Sequence, residues 1–125
     1  MEKTISIDGK DVLFKATAAT PRVYRQAFGR DIYLDMTSLF EEIANGTELS
    51  VSTLESFEDI AFCMYKQAKG EPIKRDTVEE EIESWLEQFD TFSIYRIAPQ
   101  IIEIWRLNSE QKVTPKNQVA QPNDQ

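Results

Sequence analysis

A chain of 125 residues with 41% apolar content is the length of one domain and can fill a single core. It has no histidine and one cysteine, so it lacks the commonest general base and metal ligand and can form no internal disulfide framework. A net charge of −8 disfavours generic binding to nucleic acid or an anionic membrane. That charge is uneven: residues 1–30 hold six Lys/Arg against three Asp/Glu, a net of +3, which leaves −11 for the remainder. No apolar run approaches the ~20 residues that cross a bilayer. MEKTISIDGK has no apolar stretch of the kind a secretory signal needs.

Thr4–Ile7 and Val12–Lys15 read as two strands around Asp8-Gly9-Lys10-Asp11. A two-residue Asp-Gly loop pairs Ile7 with Lys10 and Lys3 with Phe14. A four-residue loop pairs Ile7 with Val12 and Ile5 with Phe14, and the hydrophobic pattern is taken to select it. A lone hairpin is marginal in water, so its apolar face is expected to lie on helices.

Thr20-Pro21 is a helix start, a capping hydroxyl before a proline, and Gly29 is its stop. Val23, Tyr24, Ala27 and Phe28 are its stripe. A second helix is expected from Arg30-Asp31 to Asn45-Gly46, with Ile32, Met36, Leu39, Phe40 and Ile43 on the apolar line and Leu34 off it.

The central helix is Ser52–Lys69. Leu54, Phe57, Ile60, Ala61, Met64, Tyr65 and Ala68 recur every three or four residues, Ser52 and Glu55 suit a capping box, and Gly70 is the stop. A fourth helix follows a cap at Asp76 or Thr77 and carries Val78, Ile82, Trp85, Leu86 and Phe89. Its acidic first turn suits the helix dipole. The last helix is expected over Phe92–Leu107. Its apolar residues cover ~180° of the circumference, too wide for one neighbour. Either two elements of its own fold enclose it, or one edge is left for another chain. Pro99 is expected to kink it. From Asn108 the composition turns polar, with two prolines and no aromatic, as in a disordered tail.

The fold class is therefore mainly α: residues 1–107 as one domain, a hairpin packed on a bundle of about five helices, and 108–125 as a flexible polar tail.

Candidate chemistry is sparse. Cys63 lies off the central stripe without a histidine to activate it, so it reads as a packing residue. The Glu79–Glu83 run points around its helix rather than converging on a metal, and reads as a solvated face. Asp8-Gly9-Lys10-Asp11 lacks the acidic spacing of a calcium loop and reads as a turn. Trp85 and Trp105 lie on apolar faces and read as core, whereas Phe92 lies on a polar side. There is no P-loop, GxGxxG, CxxC or nucleophile elbow. No catalytic, cofactor-binding or metal-binding residue is assigned, and an enzyme is not expected.

Ile5–Met36, ISIDGKDVLFKATAATPRVYRQAFGRDIYLDM, resembles the tail assembly chaperones of long-tailed phages and prophages of Gram-positive bacteria. The IDGK hairpin, the KATAATPRVYR helix entry and FGRDIYLDM carry the likeness, and LESFEDIAFCMYKQAK is similar to that family's central helix. The resemblance covers roughly residues 3–105. It implies a small, helical, acidic protein of the host bacterial cytoplasm, absent from the mature virion. Its implied partners are the tape-measure protein, which it keeps soluble, and the major tail-tube protein, which it helps recruit. No cofactor, nucleic acid or membrane partner is implied. Ile97, Ile101 and Ile104 on the last helix are expected to be the partner-binding edge, and a homo-oligomer is compatible with so wide an apolar face. The alternative is an acidic phage-encoded inhibitor of a host nucleic-acid-binding protein, with carboxylates in place of phosphates.

Overall fold

A computed structural model of the chain describes residues 1–46 and 48–113, with side chains as far as Asn108. The order is β1 (Glu2–Ile7), β2 (Lys10–Lys15), α1 (Thr20–Phe28), α2 (Ile32–Ala44), α3 (Val51–Lys69), α4 (Val78–Leu86), a 3-10 turn (Tyr95–Ile97) and α5 (Ala98–Val113). The expected hairpin-and-helices architecture is present.

The hairpin uses the shorter loop. Ile7 faces Lys10, Ile5 faces Val12 and Lys3 faces Phe14. Asp8 and Gly9 both take positive φ, 53° and 79°, which is the two-residue turn whose twist matches the strands. The two registers differ by two residues, and side chains alternate with period two. Both registers therefore place Ile5, Ile7, Val12 and Phe14 on one face, and all four are buried. Hydrophobic parity cannot choose between them; the turn chemistry does.

α3 is the centre, in contact with β2, α1, α2 and α4. Burial extends beyond the expected stripe to Thr53, Phe62 and Cys63. Its cap is Ser50, not Ser52: the Ser50 hydroxyl accepts from Thr53 N at 3.3 Å. The role expected of Glu55 falls to Glu42 on α2, which accepts from Ser50 N at 2.7 Å and from the Thr53 hydroxyl at 2.6 Å. α1 also differs at its entrance. Thr20 makes no cap bond and is buried instead. Its hydroxyl accepts from Thr17 N at 2.8 Å and donates to Gln67 Oε1 of α3 at 2.6 Å. At the other end, Gly29 has φ 71°, and a Cβ there would meet the Arg75 guanidinium at 2.7 Å.

Trp85 of α4 ties three layers together. Its ring lies 6.3 Å from Phe14 of β2, 5.5 Å from Phe62 and 5.0 Å from Tyr65 of α3, and 5.6 Å from Phe89. The Asp8 turn reaches the same region: its carboxylate accepts from Asp90 N at 2.8 Å and from the Ser93 hydroxyl at 2.5 Å.

The last helix corrects three expectations. The segment before Ala98 is a 3-10 turn, so Pro99 stands in the first turn of α5 rather than in mid-helix. There its missing N–H breaks no bond, and no kink is required. The helix runs on to Val113, and Asn108 is buried within it rather than opening a tail. Residues 114–125 of the expected tail lie outside the described residues. Finally, Ile97, Ile101 and Ile104 are 3%, 0% and 1% exposed. They are core residues, not an outward edge, because α5 runs between α2 and β1. The side of the wide apolar face that carries these three is consumed by its own fold.

Thr20→Val keeps the shape of a buried side chain but leaves Thr17 N and Gln67 without the hydroxyl. Denaturant unfolding should show a loss of about 1–3 kcal/mol with an unchanged m value.

Candidate functional site

Among the described residues, the seam between α2 and α5 is left uncovered. On α2, Ile32, Met36 and Leu39 face the core, and Asp31 caps the helix by accepting from Tyr33 N at 2.8 Å. At ~100° per residue, Tyr33 and Phe40 stand together roughly a quarter-turn from that line. Neither fits the core: Tyr33 is 48% and Phe40 55% exposed. The Tyr33 ring packs edge-on to Trp105 of α5 at 5.2 Å, which ties the two helices at that end.

Two open grooves follow one another along the seam. One, of about 440 Å³, is lined by Tyr33, Met36, Phe40 and Glu41 on one bank and by Ile102, Trp105 and Arg106 on the other. The second, of about 690 Å³, lies where the α2–α3 loop meets the start of α5 and is lined by Ile43, Leu49, Leu54, Phe92, Tyr95 and Pro99, among others. Phe92, at 67%, is the most exposed ring of the chain's described residues. Tyr95 is held from behind by its bond to Glu58 at 2.5 Å, and burial followed by that carboxylate pushes its pKa up to about 12. The grooves therefore present a floor of rings and aliphatics with few polar atoms, suited to an apolar stripe.

Sequence periodicity assigned Phe40 to the core, placed Ile102 on the wide apolar face of the last helix without marking it as exposed, and did not reach Tyr33. The available signal was that Ile32, Met36, Leu39 and Ile43 already complete a stripe, so that Phe40 widens it on one side. Phe92 was legible as a misplaced aromatic.

A polar cross-brace ties α1, α2 and α3. Arg30, in the turn between α1 and α2, donates to Asp35 at 3.0 Å and to Asp59 of α3 at 2.5 Å. It also donates to the Tyr24 hydroxyl at 2.9 Å, which in turn donates to Asp35 at 2.6 Å. Burial pushes Asp59 up to about 6 against the pull of Arg30, with Glu79 and Glu58 adding to the rise. Burial, with Asp59 adding to it, pushes the Cys63 thiol up to about 12, so it is protonated and inert as a nucleophile at neutral pH.

The other charged features are paired or solvated. Glu79, Glu80 and Glu83 are exposed along α4, while Glu81 pairs with Lys66 at 3.3 Å and accepts from the Thr77 hydroxyl at 2.7 Å. Lys66 also holds Glu71 at 2.8 Å, and Lys10 donates to the Gln88 carbonyl at 3.0 Å. Among the described residues, no group of three or more His, Cys, Asp or Glu side chains is placed to hold a metal ion, and no helix is long and apolar enough to cross a membrane.

Arg30→Ala strands a largely buried carboxylate, Asp59. Because the folded-state pKa of Asp59 is raised, its contribution to stability is greatest below the unfolded value and falls as pH rises through about 6. Without Arg30 that fall deepens. Partial exposure of Arg30 tempers the loss to roughly 2 kcal/mol at pH 8, shrinking by more than half at pH 5, as urea unfolding at the two pH values would show.

Comparison with protein-family models, with curated proteins and with solved structures returns no match.

Proposed function

We propose that this protein is an assembly chaperone of a long-tailed phage. It binds the tape-measure protein in the bacterial cytoplasm, keeps it soluble, helps recruit tail-tube subunits and leaves before the tail is finished. The observation that carries the reading is the apolar seam, with Tyr33, Phe40 and Phe92 exposed on an otherwise acidic chain. The likeness of Ile5–Met36 to the tail assembly chaperones supports it.

The physics of the task fits the surface. A long helical protein displays an apolar stripe until its partners arrive, and that stripe aggregates unless covered. A groove floored by rings accepts anchors spaced one helical turn apart. Each ring moved fully out of water contributes on the order of 1–2 kcal/mol, so two or three anchors give a hold that later assembly can displace. The exposed carboxylates of α4, Glu79, Glu80 and Glu83, with Glu87 just after it, keep the complex soluble.

The same acidic face is what an inhibitor mimicking nucleic acid would use, and that reading makes binding collapse as salt rises. Binding through the seam is retained in salt.

The test is co-expression with the tape-measure protein. Phe40→Glu and Phe92→Glu should each lower its soluble yield at least about fivefold while the thermal midpoint of the variant stays within a few degrees of the parent, since both rings are exposed. Leu34→Glu changes an equally exposed residue on the far side of α2 and should have no effect. Undiminished solubility with both seam variants would refute the reading.

A further inference from the structure

We propose that, when no other partner is present, a second copy of this chain covers the seam, related to the first by a two-fold axis running along it. The inference does not depend on the identity of any tail protein. It rests on how charge is distributed around the apolar floor.

The two banks of the seam carry opposite signs. Glu41 on α2 and Glu48 on the loop after it stand on one bank; Arg106 on α5 and Arg96 just before it stand on the other. Arg106 also forks onto Glu103 of its own helix, at 2.7 Å for the closer contact. A two-fold axis along the seam lays the α2 bank of one copy over the α5 bank of the other, so acid meets base in both grooves. A two-fold axis across the seam would instead set α2 against α2, and Glu41 would approach its own copy. The charges therefore select one of the two simple axes. Because that axis preserves position along the seam, Phe40 and Phe92 each meet the groove that they line.

The overall charge of −8 does not forbid this pairing. Two acids and two bases line the rim, Arg106 sharing its charge with Glu103, and the exposed glutamates of α4 do not line the seam. Charges farther apart than the ~8 Å screening length at physiological salt repel weakly. Nor does the composition of the last residues suit the groove better. Residues 114–125, TPKNQVAQPNDQ, offer one valine and one alanine and no ring against a floor of about 440 and 690 Å³. A second copy brings rings and the matching charge order together.

Sedimentation equilibrium of the full chain over a wide concentration range tests this. The mass should rise from one chain to two. Phe40→Glu should weaken association at least about tenfold, as should each of two double variants, Glu41→Lys with Glu48→Lys and Arg96→Glu with Arg106→Glu. The first double variant has two basic banks and the second two acidic ones. Mixed in equal amounts, they should recover a two-chain species, which no loss of folding can imitate. Circular dichroism of each variant checks that it is folded.

A single-chain mass at every concentration overturns the inference, whether the seam is open, filled by residues 114–125 or reserved for a partner helix. So does a dimer unaffected by these variants, or double variants that fail to recover on mixing. The chaperone reading fails separately: a dimer that assembles as described but leaves tape-measure solubility unaltered refutes that reading alone, and a monomer that still solubilises its client refutes only the self-pairing.

Discussion

From Ile60 to Met64 the central helix has no outward face: five consecutive residues are buried, more than a full turn. A helix enclosed this way must be surrounded, and a small chain has few elements with which to do it. The hairpin, α1, α2 and α4 are all committed to that enclosure through β2 and their own apolar lines. α5 then closes the layer against α2 and β1. Among the described residues, no further element covers the outer face of the α2–α5 pair.

The apolar layer is reinforced by polar ties from the rim of α3. Gln67 receives both threonines at the entrance of α1, Asp59 receives Arg30, Thr53 and its Ser50 cap lean on Glu42, and Glu58 receives Tyr95. Each tie is side-chain chemistry at a helix end or flank, where water competes, so each contributes modestly. Their joint effect is orientation. They set α1, α2 and the turn before α5 at fixed angles to the central helix, and that fixes the width of the seam between α2 and α5. A preformed groove binds without first spending free energy on ordering itself.

Much of this was legible in the sequence. The periodicity of Leu54 to Ala68 located the central helix, Gly70 its end and Gly29 the end of α1, and Trp85 and Trp105 were correctly read as core. The failures share one cause: periodicity reports that a residue is apolar, not which neighbour covers it. Ile97, Ile101 and Ile104 occupy one side of a wide apolar arc and Ile102 the other. Nothing local says that the first side is the enclosed one, and the second, at Ile102, lines the open groove. The hairpin register escaped for a related reason, since a shift of two preserves facing. Caps were displaced where a distant partner, Glu42 or Gln67, offered a better bond than the nearest one in sequence.

The central claim is that client contact runs along the α2–α5 seam. Site-specific photo-crosslinking during co-expression with the tape-measure protein tests it most directly, with the reactive group placed in turn at positions 34, 40 and 92. Adducts to the tape-measure protein at 40 and 92, and none at 34, are the predicted result. Adducts at 34 as strong as those at 40 and 92, or none at any of the three while the client stays soluble, would contradict it.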